Sequence, residues 1–298
     1  MTIPLPAVAL ALFINLLWGA NVFAAKIGLL AVPPMWSAFW RFALGVACLW
    51  AWARFNHIRL WPEPGEWRGL SWLGALFTVQ IAFMYWGIDW STGAMASVLI
   101  ATNPLFGALF SHLAFASDRL NIQRVAGLTI AFAGTMLVMV PDPAMLAEIG
   151  QTAAESWRTV LGNAMVLLSA ALLGGRLVFN AKLVRRMEST RVIIWQILFS
   201  LPAFAVVAAL TERIVWERMD WTVVAALVYQ GAAIAGFAFM ISAWLLKRYS
   251  PSVVMSFNFI APVFGVVLSI AFLGEALHWP LLVGLGGVGV GLYLTTKS

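Results

Sequence analysis

Asn15, Trp18 and Asn21 recur at near-helical spacing inside a run that carries no charge from residue 1 to residue 25. Amides held in apolar surroundings have one obvious use, which is to hydrogen-bond a polar solute where water is scarce. Gln80, Tyr85, Asn103, Tyr229, Gln230, Ser256 and Asn258 stand in similar runs, and Asn180 lies near the end of another. Together they define a candidate substrate-binding set, with the alternative that about half of them tie helices to one another by interhelical amide bonds. Trp18, Trp40, Trp86, Trp195 and Trp244 lie deeper than the other tryptophans and could stack on an aromatic or apolar substrate side chain, packing being their commoner role.

Residues for bond-making chemistry are not arranged here. His57, His112 and His278 fall near the ends of apolar runs without metal-ligand spacing, and Cys48 is the one cysteine. The phosphate loop of an ATP-driven pump, G-x-x-x-x-G-K-[ST], does not occur. Neither an enzyme nor a bound cofactor or metal is expected. Every acid, among them Glu63, Glu66, Asp89, Asp118, Glu212 and Glu275, falls in a connection or at the end of an apolar run. Without a midplane carboxylate, a proton relay or an acidic sodium site has no support, and any transport is expected to be facilitative or only weakly proton-linked.

The elements that position these residues follow from composition. Hydrophobic residues make up 62% of the 298 and charged residues 10%, too apolar a mixture for a water-soluble globule. Charge-free stretches run 1–25, 69–88, 90–117, 125–141, 159–175, 192–211, 221–246, 249–274 and 276–296, and a further one, 27–53, is interrupted only by Arg41. A bilayer core of about 30 Å takes roughly 20 helical residues, so ten transmembrane helices are expected. Nothing basic precedes the first run, which is too long for the apolar part of a cleavable signal and reads as helix 1. Trp36, Trp50, Trp52, Trp61, Trp67, Trp72, Trp157, Trp216, Trp221 and Trp279 sit near span ends, as an interfacial belt requires.

The net charge of +6 is topological. With the N-terminus in the cytoplasm, Arg54, Arg59, Arg68, Arg119, Arg124, Lys182, Arg185, Arg186, Arg191, Lys247, Arg248 and Lys297 fall inside, against Lys26, Arg158, Arg213 and Arg218 outside. This bias places both termini in the cytoplasm and makes anionic lipid headgroups, not nucleic acid, the natural partner of the basic residues. Arg41 and Arg176 remain within spans. A charge at the depth of Arg41 marks a pathway or a structural partner, for which helix-end carbonyls or Asp89 are candidates, while Lys26 can snorkel outward.

A repeat divides the chain. Asn103-Pro104-Leu105-Phe106-Gly107, Asp118, Gly127 and Gly134 are echoed by Ala261-Pro262-Val263-Phe264-Gly265, Glu275, Gly284 and Gly291, and one single-residue gap aligns the proline, the first glycine, the acid and the two later glycines. Residues 1–141 and 158–298 are therefore expected to be two five-helix halves joined by the polar connection 142–157. An odd number of spans per half inverts the second relative to the first, and inverted repeats are the architecture of alternating-access carriers. Pro104 and Pro262, each removing a helix hydrogen bond at an equivalent place, are candidate hinges, with static kinks as the alternative. Gly287 and Gly291 form a small-residue face read as internal packing in preference to dimerisation, so nothing here asks for more than a monomer.

The mid-helix proline, the acid about 13 residues on and the following glycine-rich helix resemble the EamA repeat of the drug/metabolite transporter superfamily. Trp18-Gly19-Ala20-Asn21, Pro34 and Arg41-Phe42 match the same family, while Gly174-Gly175 and Ile197 depart from it in the second half. Among ten-helix members the likeness is greatest to amino acid exporters of the YddG type. The resemblance implies a multi-pass protein of the bacterial inner (plasma) membrane that moves small metabolites outward, amino acids including aromatic ones, with drug or toxic-compound efflux or carriage of another metabolite as the alternative. A channel or an assembly protein is a more remote reading. Few midplane cations are available to grip phosphate, which disfavours sugar-phosphate or nucleotide-sugar carriage.

The charge bias makes a direct prediction. Reporter fusions after Ser298 and within the connection around Glu148 should report opposite sides of the membrane; the same side for both would eliminate the ten-helix arrangement.

Overall fold

The structure, a computed structural model, describes residues 5–114, 122–139, 156–184, 186–248 and 260–297. Asp118, Ser256, Asn258 and the connection 141–155 lie outside the described residues. All regular structure among the described residues is helical: α1 (Leu5–Leu29), α2 (Pro34–Phe55), α3 (Trp67–Trp90), α4 (Gly93–Ile100), α5 (Asn103–Ala114), α6 (Ile122–Met139), α7 (Ser156–Val184), α8 (Ser189–Thr211), α9 (Trp221–Val228), a π-helical segment (Tyr229–Ala238), α10 (Phe239–Arg248), α11 (Ile260–Leu273) and α12 (Trp279–Lys297). Among the described residues six helices or helical runs, one of them crossing the α4–α5 turn, are long and apolar enough to cross a membrane: Leu5–Leu29, Trp67–Trp90, Gly93–Phe110, Ser156–Val184, Ser189–Thr211 and Trp221–Ser242. Shorter apolar helices cover Ile122–Val138, Ala261–Leu273 and Trp279–Gly291.

The helices start where the sequence offers a cap or a fixed dihedral. Pro33-Pro34 opens α2, Thr92 accepts from the Met95 N–H to open α4, and Asp220 accepts from the N–H groups of Thr222 and Val223 to open α9. Two further caps come from far along the chain. Glu212, just past α8, accepts from the N–H groups of Met35 and Trp36 at the start of α2, at 3.0 and 3.1 Å. Glu275, between α11 and α12, accepts from Gly93 N–H at 2.6 Å and Ala94 N–H at 2.7 Å at the start of α4. These carboxylates satisfy orphan helix-end donors and meet the positive end of each helix dipole. Burial pushes the half-buried Glu212 carboxyl above its ordinary value, and the two N–H bonds pull the other way.

Packing relies on small residues. α6 lies along α12, where Gly291 sits against Ala131 and the Gly127 carbonyl, and Gly287 faces Gly134. The face that carries Gly287 and Gly291 is thus occupied inside the molecule. α3 packs on α7 and α8, α2 on α8 and the π-helical segment, and α1 on α11. Gly19 is required by a close approach, since a Cβ there would meet the Ala261 carbonyl at 2.6 Å. Large apolar side chains such as Leu5, Val206, Leu210, Phe272 and Leu282 are exposed, the inside-out pattern of a protein whose solvent is lipid. Trp50, Trp52, Trp61, Trp72, Trp157, Trp216, Trp221 and Trp279 are exposed near helix ends.

Replacing Gly291 by Leu drives a side chain into backbone and should destabilise the protein by about 1–3 kcal/mol. Gly286→Leu, at a position with nothing within 4 Å of the added Cβ, is the matched control and should be near neutral. Apparent melting temperatures in detergent check both; equal values for the two variants would contradict the packing of α6 on α12.

Candidate functional site: a buried polar relay beside a broken helix

Arg41 on α2 is 2% exposed and touches no carboxylate among the described residues. Its Nη1 donates to the Tyr85 hydroxyl on α3 at 3.5 Å, and its guanidinium lies 5.0 Å from the centre of the Phe42 ring. Tyr85 in turn donates to Gln230 Oε1 at 2.6 Å, and Gln230 Nε2 donates to the Ala24 carbonyl on α1 at 3.3 Å. The result is a directional relay, guanidinium to phenol to amide to carbonyl, joining α2, α3, the π-helical segment and α1. Each bond fixes the polarity of the next, and in low dielectric such chains reinforce one another. Asp89 does not hold Arg41; its backbone carbonyl instead accepts from Lys26 Nζ at 3.3 Å.

The neighbouring Tyr229 hydroxyl donates to the Leu17 carbonyl at 2.7 Å, tying the π-helical segment to α1 a second time. That segment is where Gln230 and Tyr229 are presented, and its Gly231 and Gly236 press on Leu44 and Cys48 of α2. π-helical turns are uncommon and concentrate at functional sites. Sequence periodicity does not separate this segment from an α-helix, and it was not anticipated.

The expected polar set is only partly brought together. Arg41, Tyr85 and Gln230 share the relay, with Tyr229 beside it. Asn21 is buried on α1 with its Oδ1 unpartnered. Gln80 on α3 meets Ser169 on α7: Gln80 Nε2 donates to Ser169 Oγ at 3.0 Å while Ser169 donates to the Gln80 backbone carbonyl at 2.9 Å. Asn15 spends its amide N–H on the Ala11 carbonyl of its own helix. Trp18 packs on Phe239, Trp244 joins the apolar cluster of Ala7, Ala11 and Ile14, Trp40 is half exposed, and Trp195 packs among Trp61, Trp67 and Phe199. Beyond the expected set stands Arg176 on α7, 6% exposed, whose Nη1 donates to Gln196 on α8 at 3.0 Å and whose guanidinium lies 4.8 Å from the Phe77 ring centre.

The helix containing Pro104 is broken, not merely bent. α4 ends at Ile100, Ala101 and Thr102 form a turn, and α5 begins at Asn103. Proline has no N–H for the carbonyl four residues back, which is Ile100. Asn103 supplies the replacement, its Nδ2 donating to the Ile100 carbonyl at 2.8 Å, and the Thr102 hydroxyl covers the Leu99 carbonyl at 2.6 Å. Both half-helices pack on α7 and touch α12, with Gly174 of α7 against Gly107 and the Asn103 carbonyl, and α4 in addition packs on α11 and α1. Pro262 is buried in the first turn of α11, and the chain preceding that helix lies outside the described residues. Pro202, inside α8, is a further interior proline that the repeat does not single out, and its helix stays continuous.

Among the described residues no group of three or more His, Cys, Asp or Glu could hold a metal. Buried amides, hydroxyls and guanidinium groups inside a bundle of apolar helices with exposed apolar side chains are the architecture of a multi-pass membrane protein. The chain belongs to the EamA-like transporter family, whose model matches residues 5–140 and 160–297. It is 25% identical over 290 residues to an uncharacterised transporter of Archaeoglobus fulgidus, covering 95% of this chain and 94% of that one. It is 27% identical over 301 residues to a probable amino-acid metabolite efflux pump of Escherichia coli, covering 96% and 93%. A protein crystal structure superposes with a TM-score of 0.70 at 22% identity, over 98% of this chain and 96% of that one, and shares the fold.

The break yields a coupled prediction. Asn103→Leu strips the Ile100 carbonyl of its partner and should destabilise by about 1–3 kcal/mol. In a Pro104→Ala background residue 104 regains an N–H for that carbonyl, so the same Asn103→Leu change should matter less. A double-mutant cycle on apparent unfolding free energy should give a coupling of about 1 kcal/mol; simple additivity would mean that Asn103 does not serve the proline.

Proposed function

We propose that this protein is a secondary transporter that moves small metabolites, amino acids including aromatic ones, outward across the bacterial inner membrane by alternating access. In this reading ten spans form two inverted five-helix halves with both termini cytoplasmic, α2 with its Arg41 being one span and α4 with α5 another. The observation that carries the proposal is the broken helix. Its α4 half is held to α11 by the Glu275 cap and by Ser97 against Gly265, while its α5 half packs on α7. The two halves share α7, but the tie to α11 is made through α4, so a two-residue turn separates a half anchored to α11 from one that is not, a place where a gate between two facing states could bend. Pro104 and Pro262 are the proposed paired bending points.

The substrate class rests on the chemistry of the buried groups and on the likeness to the Escherichia coli pump. Amides, phenols and two guanidinium groups suit a small zwitterion. Ten spans, inner-membrane location and outward movement are carried over from the positive-inside count and the family. Facilitative or weakly proton-linked transport follows from the placement of the acids: Glu212 and Glu275 cap helices, and Glu66 pairs with Arg191 at 2.7 Å.

Uptake of a labelled amino acid panel into proteoliposomes, with and without a pH gradient, tests the reading. Flux of aromatic amino acids should persist with neither a pH gradient nor a membrane potential. Strict dependence on a proton gradient would overturn the coupling, and flux of lipophilic drugs without any amino acid would replace the substrate class.

A further inference from the structure

The buried polar atoms that lack a partner fall largely into two complementary kinds. On one side are guanidinium donors, Nε of Arg41 and of Arg176; on the other are amide acceptors, Asn21 Oδ1, Gln80 Oε1 and Asn180 Oδ1. A cation buried in a membrane bundle is costly without an anion, and no carboxylate lies within ion-pair distance of either arginine among the described residues. The two guanidinium groups are also linked through touching rings, Arg41 on Phe42, Arg176 on Phe77, and the Phe42 and Phe77 centroids 4.8 Å apart in an edge-on contact. Ring faces soften the burial of a cation but leave its N–H groups unsatisfied.

Around Arg176 an orphan donor and two orphan acceptors stand on neighbouring turns of α3 and α7. Phe77 and Gln80 are one turn apart on α3, and helical side chains lean toward their own N-terminus, so Arg176 reaches back along α7 to the level of Phe77. The orientation of the Gln80 amide is fixed by its neighbours. Ser169 commits its proton to the Gln80 backbone carbonyl, so its oxygen takes the Gln80 NH2, and Oε1 is turned away with nothing to accept. Asn180, one turn beyond Arg176 on the same face of α7, carries a second orphan acceptor. Gln196 occupies one guanidinium N–H and holds the group in place.

We propose that Arg176 binds the carboxylate of a zwitterionic substrate and that Gln80 Oε1 receives its ammonium group, the two forming a recognition site at the junction of α3, α7 and α8. The proposal rests on the transporter reading above and names the part of the substrate that the protein grips. A planar guanidinium matches a carboxylate through paired N–H bonds, which a lysine does not reproduce. Gln80 explains why an amine should accompany the acid.

The experiment is counterflow in proteoliposomes with labelled phenylalanine, phenylalaninamide, which lacks the carboxylate, and 3-phenylpropionate, which lacks the amine. Arg176→Gln should raise KM for phenylalanine and 3-phenylpropionate by about tenfold or more and leave phenylalaninamide within about twofold. Arg176→Lys should recover part of the loss. Gln80→Leu should weaken phenylalanine and phenylalaninamide but not 3-phenylpropionate, which keeps the proposal testable should Arg176→Gln fail to fold. Equal loss of all three compounds in both folded variants, or no loss in either, overturns the site while leaving an amino acid transporter standing. Wild-type vesicles that move none of the three overturn the site together with the reading beneath it.

Discussion

In hydrocarbon a backbone N–H or C=O without a partner is penalised by several kcal/mol, and this constraint governs each irregularity of the structure. A straight helix meets it unaided. Each departure from a straight helix needs a local substitute, and the substitutes are visible: Asn103 and Thr102 cover the carbonyls freed at the α4–α5 break, and Glu275 and Glu212 cover the donors at the starts of α4 and α2. The break therefore survives because its polar groups are answered, and a span that is answered in two pieces can pack as two pieces.

The same constraint explains how charge is tolerated. Arg41 and Arg176 are accommodated by a phenol, an amide and two phenylalanine faces, with no carboxylate in contact among the described residues. Groups that share charge without neutralising it leave the guanidinium with capacity to spare. Around them the apolar framework is close-packed, with glycine and alanine letting α6 meet α12 and α1 meet α11 at backbone distance. A polar centre is thus held by a tight frame, and the broken span borders α7 along both its halves and α11 through its α4 half.

Much of the fold was legible along the chain. Charge-free runs marked where helices lie, eight of the ten tryptophans expected at their ends are exposed while Trp36 and Trp67 pack inward, and the proline at 104 marked the site of the α4–α5 break. The candidate site was less legible. Arg41 stood out because a charge within an apolar run is conspicuous, yet its partner Tyr85 lies 44 residues along the chain and Gln230, which accepts from Tyr85, a further 145. Asn103 looked like a ligand for substrate because an amide in a span is unusual; its N–H is used by the carbonyl three residues back. Glu275 read as half of a repeat, and its work is to cap a helix that begins 182 residues earlier.

What the sequence by itself determined is the class of solvent and the periodic elements, because hydropathy and helix-breaking act locally and each run carries its own hydrogen bonds. What only the tertiary structure decided is which polar atoms are already spoken for and which are left over. Gln80 is a lone amide in the sequence; folded, its NH2 is fixed on Ser169 and its Oε1 is free, because the hydroxyl it meets comes from a helix 89 residues away. Satisfaction of a hydrogen bond is a property of pairs, and in this protein the decisive pairs are formed between helices, at distances along the chain that no local pattern reports.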